Sequence, residues 1–328
     1  MMGQNATRQT VTVSAPHSRR PPTLGPLALA VSLLGLLALC VLLARSAAPA
    51  SGLPWLLGVL AQLLVGASGV RWIAGGEGRA ARVLPAAFTL LLGVLAAEAL
   101  LQAYTVPPGL IPTPSLVLTA LWNARTVLLQ DTLYTFGLEG LLGFLLGTVA
   151  GLLLALLVVR FRFLELGLLP YAALFSSIPI VALAPVIVKA VGLEWPSKTL
   201  VVAITVLFPV VIGAVRGLQS AQPMHLDLMH TYAATPGQTF REVRVPSALP
   251  FVFNALKVGS TLALISAIVA EFFGTDGHGL GFRIQIEVGR FNLDIVWAAI
   301  VLSSIVGIAF FGLINLLERR FVVTGREP

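Results

Sequence analysis

The sequence has three lysines, Lys189, Lys198 and Lys257, and none of them closes a phosphate loop. Val, Ser and Leu precede them where G-x-x-x-x-G-K-[ST] requires Gly. A nucleotide site of that kind is therefore absent. Cysteine is limited to Cys40, inside an apolar run, which rules out an intramolecular disulfide and a Cys-based metal site. The four histidines, His17, His225, His230 and His278, form no H-E-x-x-H pattern, and His225 and His230 are spaced poorly for one helical face. No G-x-S-x-G nucleophile turn occurs either. Charge is scarce too: 11% of residues are Asp, Glu, Lys or Arg, against about 25% in a soluble domain. The net charge of +7 forms no basic stripe, because the basic residues are scattered in twos and threes between apolar runs. That pattern argues against a nucleic-acid partner and for membrane topology.

What the chain has in abundance is apolar length. Hydrophobic residues make up 57% of it and the mean hydropathy is +0.93. A helix needs about 20 apolar residues to cross a bilayer core, and such runs recur at 24–44, 53–73, 83–104, 135–159, 168–191, 199–218, 249–273 and 295–317. The reading is an all-α, polytopic transmembrane bundle of about eight spans. Pro170, Pro179 and Pro185 in the fifth run require a break or kink there. Residues 1–23 read as a flexible cytoplasmic tail and not as a cleaved signal, because the first apolar run is long for one and more spans follow.

Cytoplasmic loops carry the excess of Lys and Arg. With the N-terminus inside, fourteen basic residues fall on inner segments, among them Arg79, Arg82, Arg160, Arg162, Arg241 and Arg244. Five fall on outer ones: Arg45, Arg125, Lys198, Arg283 and Arg290. Both termini are thus expected inside, and so is the polar stretch 219–248.

That stretch has helical signals of its own. Pro223 suits a first turn, and the run to Ala234 has no other Gly or Pro. Pro236 disfavours helix at Thr235, which ends the first helix. Thr235 with Gln238 has capping-box spacing and starts a second helix, with Pro236 at its first position; Pro246 is expected to end it. Met224, Leu226, Leu228, Met229, Tyr232 and Ala233 give the first helix more apolar surface than a solvated loop needs. It should dock, either on the protein's own spans and the lipid interface or on another chain.

The run Thr231-Tyr232-Ala233-Ala234-Thr235-Pro236-Gly237, continued by Ser247-Ala248-Leu249-Pro250, resembles the EAA loop of ATP-binding-cassette (ABC) importer permeases. The spacing from Gly237 to Leu249-Pro250 matches the motif; Thr231 stands at the usual Glu and Tyr232 at a frequent Ala. Leu110-Ile111-Pro112-Thr113-Pro114-Ser115, the stretch Ser177–Pro185, Ile268–Gly274 and Leu317-Glu318-Arg319-Arg320 resemble the nitrate/sulfonate/taurine group. Several agree with its branch for pyrimidines, thiamine precursors or riboflavin.

The resemblance implies a type I ABC importer-like core over 81–320, of about six spans. Two additional N-terminal helices (24–80) precede it and a short cytoplasmic tail (321–328) follows. It also implies a permease subunit of the inner membrane, not itself an enzyme, that works as a pair, expected to be a homodimer. Its partners would be two cytoplasmic ATPases holding ATP and Mg, and an external solute-binding protein. Met224–Thr235 would be the coupling helix set into the ATPase, with Leu228, Thr231, Tyr232, Ala233 and Ala234 on it. Gly237 would permit the turn after it. Arg241 and Arg244 would flank the contact or meet lipid head groups, although positive-inside topology alone also accounts for them.

Three further features are read from the spans. Gly143, Gly147, Gly151 and Ala155, at intervals of four, form a small-residue stripe for helix packing. Ser176, Ser177 and Pro179 are candidates to line a translocation path, with plain helix kinking as the alternative. Glu98, Glu139, Lys189, Lys257 and Glu271 lie within or beside spans, mostly near enough to an end to snorkel. No midspan carboxylate cluster is expected, which weighs against the rival reading, an ion-coupled secondary transporter.

Overall fold

The computed structural model describes residues 24–45, 52–75 and 79–322. The expected N-terminal tail and most of the C-terminal one lie outside these residues. All regular structure among the described residues is helical. Seven helices are long and apolar enough to cross a membrane, and one sharply bent pair makes an eighth candidate. Large apolar side chains face outward along them, among them Leu64 and Ile308, each 74% exposed. Such a surface is stable only where hydrocarbon replaces water.

The chain divides into two units after Val106. The first contains α1 (Leu24–Arg45), α2 (Gly52–Ala74) and α3 (Arg79–Ala103). Leu29, Leu36, Val59, Leu92, Ala96 and Ala99 form its core. The Ser32 hydroxyl donates to the Gln62 carbonyl at 2.5 Å, and Gln102 Nε2 donates to the buried Glu98 at 2.6 Å. The sequence boundary at 80/81 therefore differs from the packing boundary. The third span buries Leu92, Ala96 and Ala99 against α1 and α2, and groups with them.

The second unit begins with α4 (Pro114–Asn123), whose first turn is capped by Thr113. Then α5 (Arg125–Thr132), a π-helical stretch Leu133–Leu141 and α6 (Leu142–Arg160) run on as one long helix. Next come α7 (Arg162–Ser176) and α8 (Ile180–Val191), bent by 97° across the break. The kink expected from Pro170, Pro179 and Pro185 thus falls at Ser177–Pro179, with Pro179 capping α8. α9 (Trp195–Gln219) follows, then the short α10 (Pro223–Thr231) and α11 (Pro236–Thr239), the long α12 (Val245–Glu271), α13 (Leu280–Gly289) and α14 (Leu293–Phe321).

The direction of each span follows from its contacts. Gly143 lies against Thr199 and Val202, Gly147 against Ala203, and Gly151 against Leu207 and Val210, so α6 and α9 run parallel. The chain between them must return to the end from which α6 started, which makes the bent α7–α8 pair one crossing. α12 runs against α9, with Ala255 on Gly213 and Ala248 on Gly217. α14 runs against α12, where Lys257 Nζ meets Glu318 Oε2 at 2.8 Å. The 219–248 segment thus lies at the end of the bundle that carries Arg160, Arg162 and the end of α14, as positive-inside reasoning requires.

Candidate functional site

The segment between α9 and α12 departs from its sequence reading in three ways. The first helix ends at Thr231, earlier than Thr235, because Ala233 takes a left-handed backbone with φ 51°. The second starts as expected: Thr235 accepts from the Gln238 amide, the Gln238 side chain accepts from the Thr235 amide at 2.8 Å, and Pro236 sits in the first turn. Pro246 does not end it. The helix widens into a π-helical turn at Phe240–Arg244 and continues into α12, the wider turn absorbing the register that Pro246, lacking an N–H, would otherwise interrupt.

Gly237 differs as well. Its backbone has no positive φ, and a Cβ there would meet open space. No turn among the described residues requires a glycine at 237.

α10 buries none of its side chains. Met224 is 69% exposed, Leu228 51% and Tyr232, just after the helix, 75%, while Leu226 and Met229 are half-buried, so much of the segment's apolar surface is left uncovered. Thr231 donates its hydroxyl to the Asp227 carbonyl at 3.0 Å. Ala234 lines a cavity of about 530 Å³ between this segment and the end of α6, together with Arg160, His230, Pro236, Phe240 and Arg244. Arg241 is exposed, 3.9 Å from Glu242. Leu249 packs into the core of α6, α9, α12 and α14, which ties the loop to the spans, while Pro250 is exposed.

Ser176 lines a cavity of about 180 Å³ among Phe175, Ile180, Thr205, Phe208, Leu262 and Ser266. Its hydroxyl is turned to the Ala172 carbonyl at 2.9 Å. Ser177 and Pro179 are exposed at the break itself. The irregular backbone expected in this span is therefore placed beside a cavity bordered by α9 and α12.

The opposite end of the bundle holds charges that sequence reading misplaced. Glu139, Lys198 and Glu271 are each 0% exposed; they do not snorkel, and Lys198, counted there as an outer-loop residue, lies in the first turn of α9. Glu271 accepts from the Thr135 hydroxyl at 2.6 Å and from the Gly281 amide at 2.5 Å. Thr135 in turn accepts from the Leu280 amide at 2.8 Å, and Asp131 from Gly279 at 3.1 Å. Side chains of the long helix 125–160 and of α12 thus hold the N-terminus of α13, where unpaired amides and the helix dipole favour anions.

Arg283 on α13 reaches back to Asp131 at 2.8 Å and lies 3.8 Å from Glu287, which also meets Arg290 at 3.0 Å. Beside them Tyr134 donates to Asp276 at 2.5 Å. Partial burial raises the Asp276 pKa, but the Tyr134 hydroxyl, its own backbone and the charges of Lys198 and His278 outweigh that and hold it below its usual value. The sequence signal for this cluster was three charges at the edges of apolar runs. What it lacked was the pairing of residues more than a hundred positions apart.

Comparison with known proteins gives a consistent result. A family model described as "Binding-protein-dependent transport system inner membrane component" matches residues 147–323. A Haemophilus influenzae protein named as a probable ABC transporter permease is 32% identical over 216 residues, spanning 66% of this chain and 87% of the relative. The riboflavin transport system permease RibX of Chloroflexus aurantiacus is 33% identical over 241 residues, 73% of this chain and 88% of the relative. The formylaminopyrimidine transport permease ThiX of Halalkalibacterium halodurans is 32% identical over 216 residues, 64% of this chain and 84% of the relative.

Proposed function

The chain belongs to the binding-protein-dependent transport system inner membrane component family and is a membrane-spanning permease subunit of an ATP-driven importer, and from that premise we propose how it performs that part. An ATPase and a solute-binding protein are its partners, and it is not itself an enzyme. The 219–248 segment is the point at which ATPase movement enters the membrane. The observation that carries this is α10, which with the Tyr232 that follows it presents Met224, Leu228 and Tyr232 to its surroundings, and which buries none of its side chains.

Force applied to α10 passes through the Thr235–Gln238 capping box and an unbroken helix into α12. Leu249 engages the core on the way. Thr231, at the usual Glu position, offers no carboxylate, so docking relies on apolar contact. ATP and its magnesium are held by the ATPase. Two copies of this chain form the pathway, with the exposed Ser176, Ser177 and Pro179 along it. The imported solute is a small heteroaromatic compound of the pyrimidine or flavin type, a reading supported by the names of two relatives.

The test is co-purification in mild detergent with the ATPase. A Cβ at Gly237 meets open space; Gly237→Trp should leave the permease folded and reduce ATPase recovery at least tenfold. Undiminished recovery, or recovery of the wild-type permease with no ATPase at all, would overturn the assignment of the loop.

A further inference from the structure

The cavity of about 530 Å³ between the end of α6 and the 219–248 segment is unbalanced in charge. Arg160 from α6 and Arg244 from the π-helical turn before α12 both line it, with His230 beside them, and no Asp or Glu is among its lining residues. Neither arginine forms an ion pair with another of the described residues; Arg160 lies over the Phe161 ring instead, at 5.8 Å. A guanidinium keeps its charge at any physiological pH. Two positive charges therefore border one cavity with no counter-charge from the chain around it. We infer that this cavity binds the headgroup of an anionic phospholipid of the inner leaflet, its phosphate held by Arg160 and Arg244.

The apolar part of the wall separates a lipid from a free anion. Leu156 and Val159 line the cavity together with the arginines. Val149, Leu153, Leu156 and Arg160 follow one another along α6 at intervals of four, three and four, which puts them on one face of the helix. The three apolar members are exposed. That face is thus an apolar strip that runs along the span and ends at a cation. An acyl chain laid on the strip brings its phosphate to Arg160, whereas a free phosphate ion gains nothing from it.

The lining also discriminates between headgroups. Guanidinium forks pair with phosphate oxygens through parallel N–H donors, but the ammonium of a zwitterionic lipid would find no carboxylate here. Basic pockets between spans on the cytoplasmic side are a recurrent setting for anionic headgroups, and the volume lies within the range of about 300–1,000 Å³ usual for small-molecule sites. His230 places the headgroup against α10. The exposed Leu228, two residues earlier, is about 200° further round that helix. The lipid would therefore sit behind α10, between it and α6, and leave Leu228 free for the ATPase.

The experiment is native mass spectrometry of the full-length permease, alone and with its ATPase, released from bilayer nanodiscs of equal parts phosphatidylglycerol and phosphatidylcholine. Phosphatidylglycerol should be retained at least tenfold over phosphatidylcholine, should survive washing with inorganic phosphate, and should stay bound with the ATPase attached. Arg160→Gln combined with Arg244→Gln should lower its retention at least tenfold. Arg319→Gln removes an exposed cation at the same end of the bundle but outside the cavity and should leave retention unchanged. Wild-type retention in the double variant, or an equal loss in Arg319→Gln, would overturn the proposal. So would displacement by inorganic phosphate, which makes the ligand a soluble anion, and binding only after the ATPase is stripped, which assigns the arginines to the ATPase contact. Should the double variant not assemble, Thr239→Glu decides, since it brings a carboxylate into the lining and should cause the same loss; undiminished retention there contradicts the site. The measurement on the permease alone keeps this outcome separate from the assignment of the loop.

Discussion

Gly147 lies flat against the backbone of Ala203, close enough that a methyl group on it would overlap the Ala203 carbonyl oxygen. Gly143 and Gly151 repeat the contact one turn to either side, where a Cβ would come within 2.5 Å of Val202 and 2.9 Å of Leu207. α6 and α9 therefore meet backbone to backbone. Their parallel course is what forces the bent α7–α8 pair to cross the membrane.

Gly147→Val is accordingly expected to destabilise the second unit by about 1–3 kcal/mol, the usual cost of overpacking. Thermal unfolding in detergent should show it. Gly237→Val, where an added Cβ meets open space, should leave the midpoint within error of the parent.

Among the described residues, Arg283 is the one cation within reach of both Asp131, whose side chain is 3% exposed, and Glu287, 5% exposed. Arg283→Met leaves Asp131 buried without its partner and should cost about 3 kcal/mol. Arg283→Lys should recover only part of that, since a lysine cannot serve two carboxylates with one planar fork. Chemical denaturation of the purified permease distinguishes the two.

Asp276 gives a pH dependence with a defined sign. Its folded-state pKa is depressed, so its contribution is present above the unfolded value of about 3.9 and is lost as pH falls through the lower folded value. Asp276→Asn should thus melt earlier than the wild type at pH 7, and the difference should close on acidification below about pH 4. A difference that grows toward acid would contradict the depressed value.

Much of the fold could be read from apolar run length, because a bilayer sets the length of each element. The break in the fifth span was legible in its prolines, and the start of α11 in Thr235 and Gln238. Local rules failed where the backbone found another solution. Ala233 ended α10 by taking a left-handed conformation that no residue type at that position signals, and a π-helical turn carried the chain past Pro246. The cluster of Glu139, Lys198 and Glu271 escaped for a different reason. Each residue near a span end looked able to reach water, and only the packing of α6, α9, α12 and α13 closes that route. Likewise α3 read as part of the following domain until its apolar face was seen against α1 and α2.

The account rests on α10 meeting the ATPase on the inner side of the membrane, and site-directed cross-linking tests it most directly. With Cys40 replaced by Ala, Tyr232→Cys provides a single thiol on an exposed position. The predicted result is an adduct joining permease to ATPase in inverted membranes, with no labelling by an impermeant thiol reagent added outside intact cells. Labelling from outside with no ATPase adduct would contradict the account.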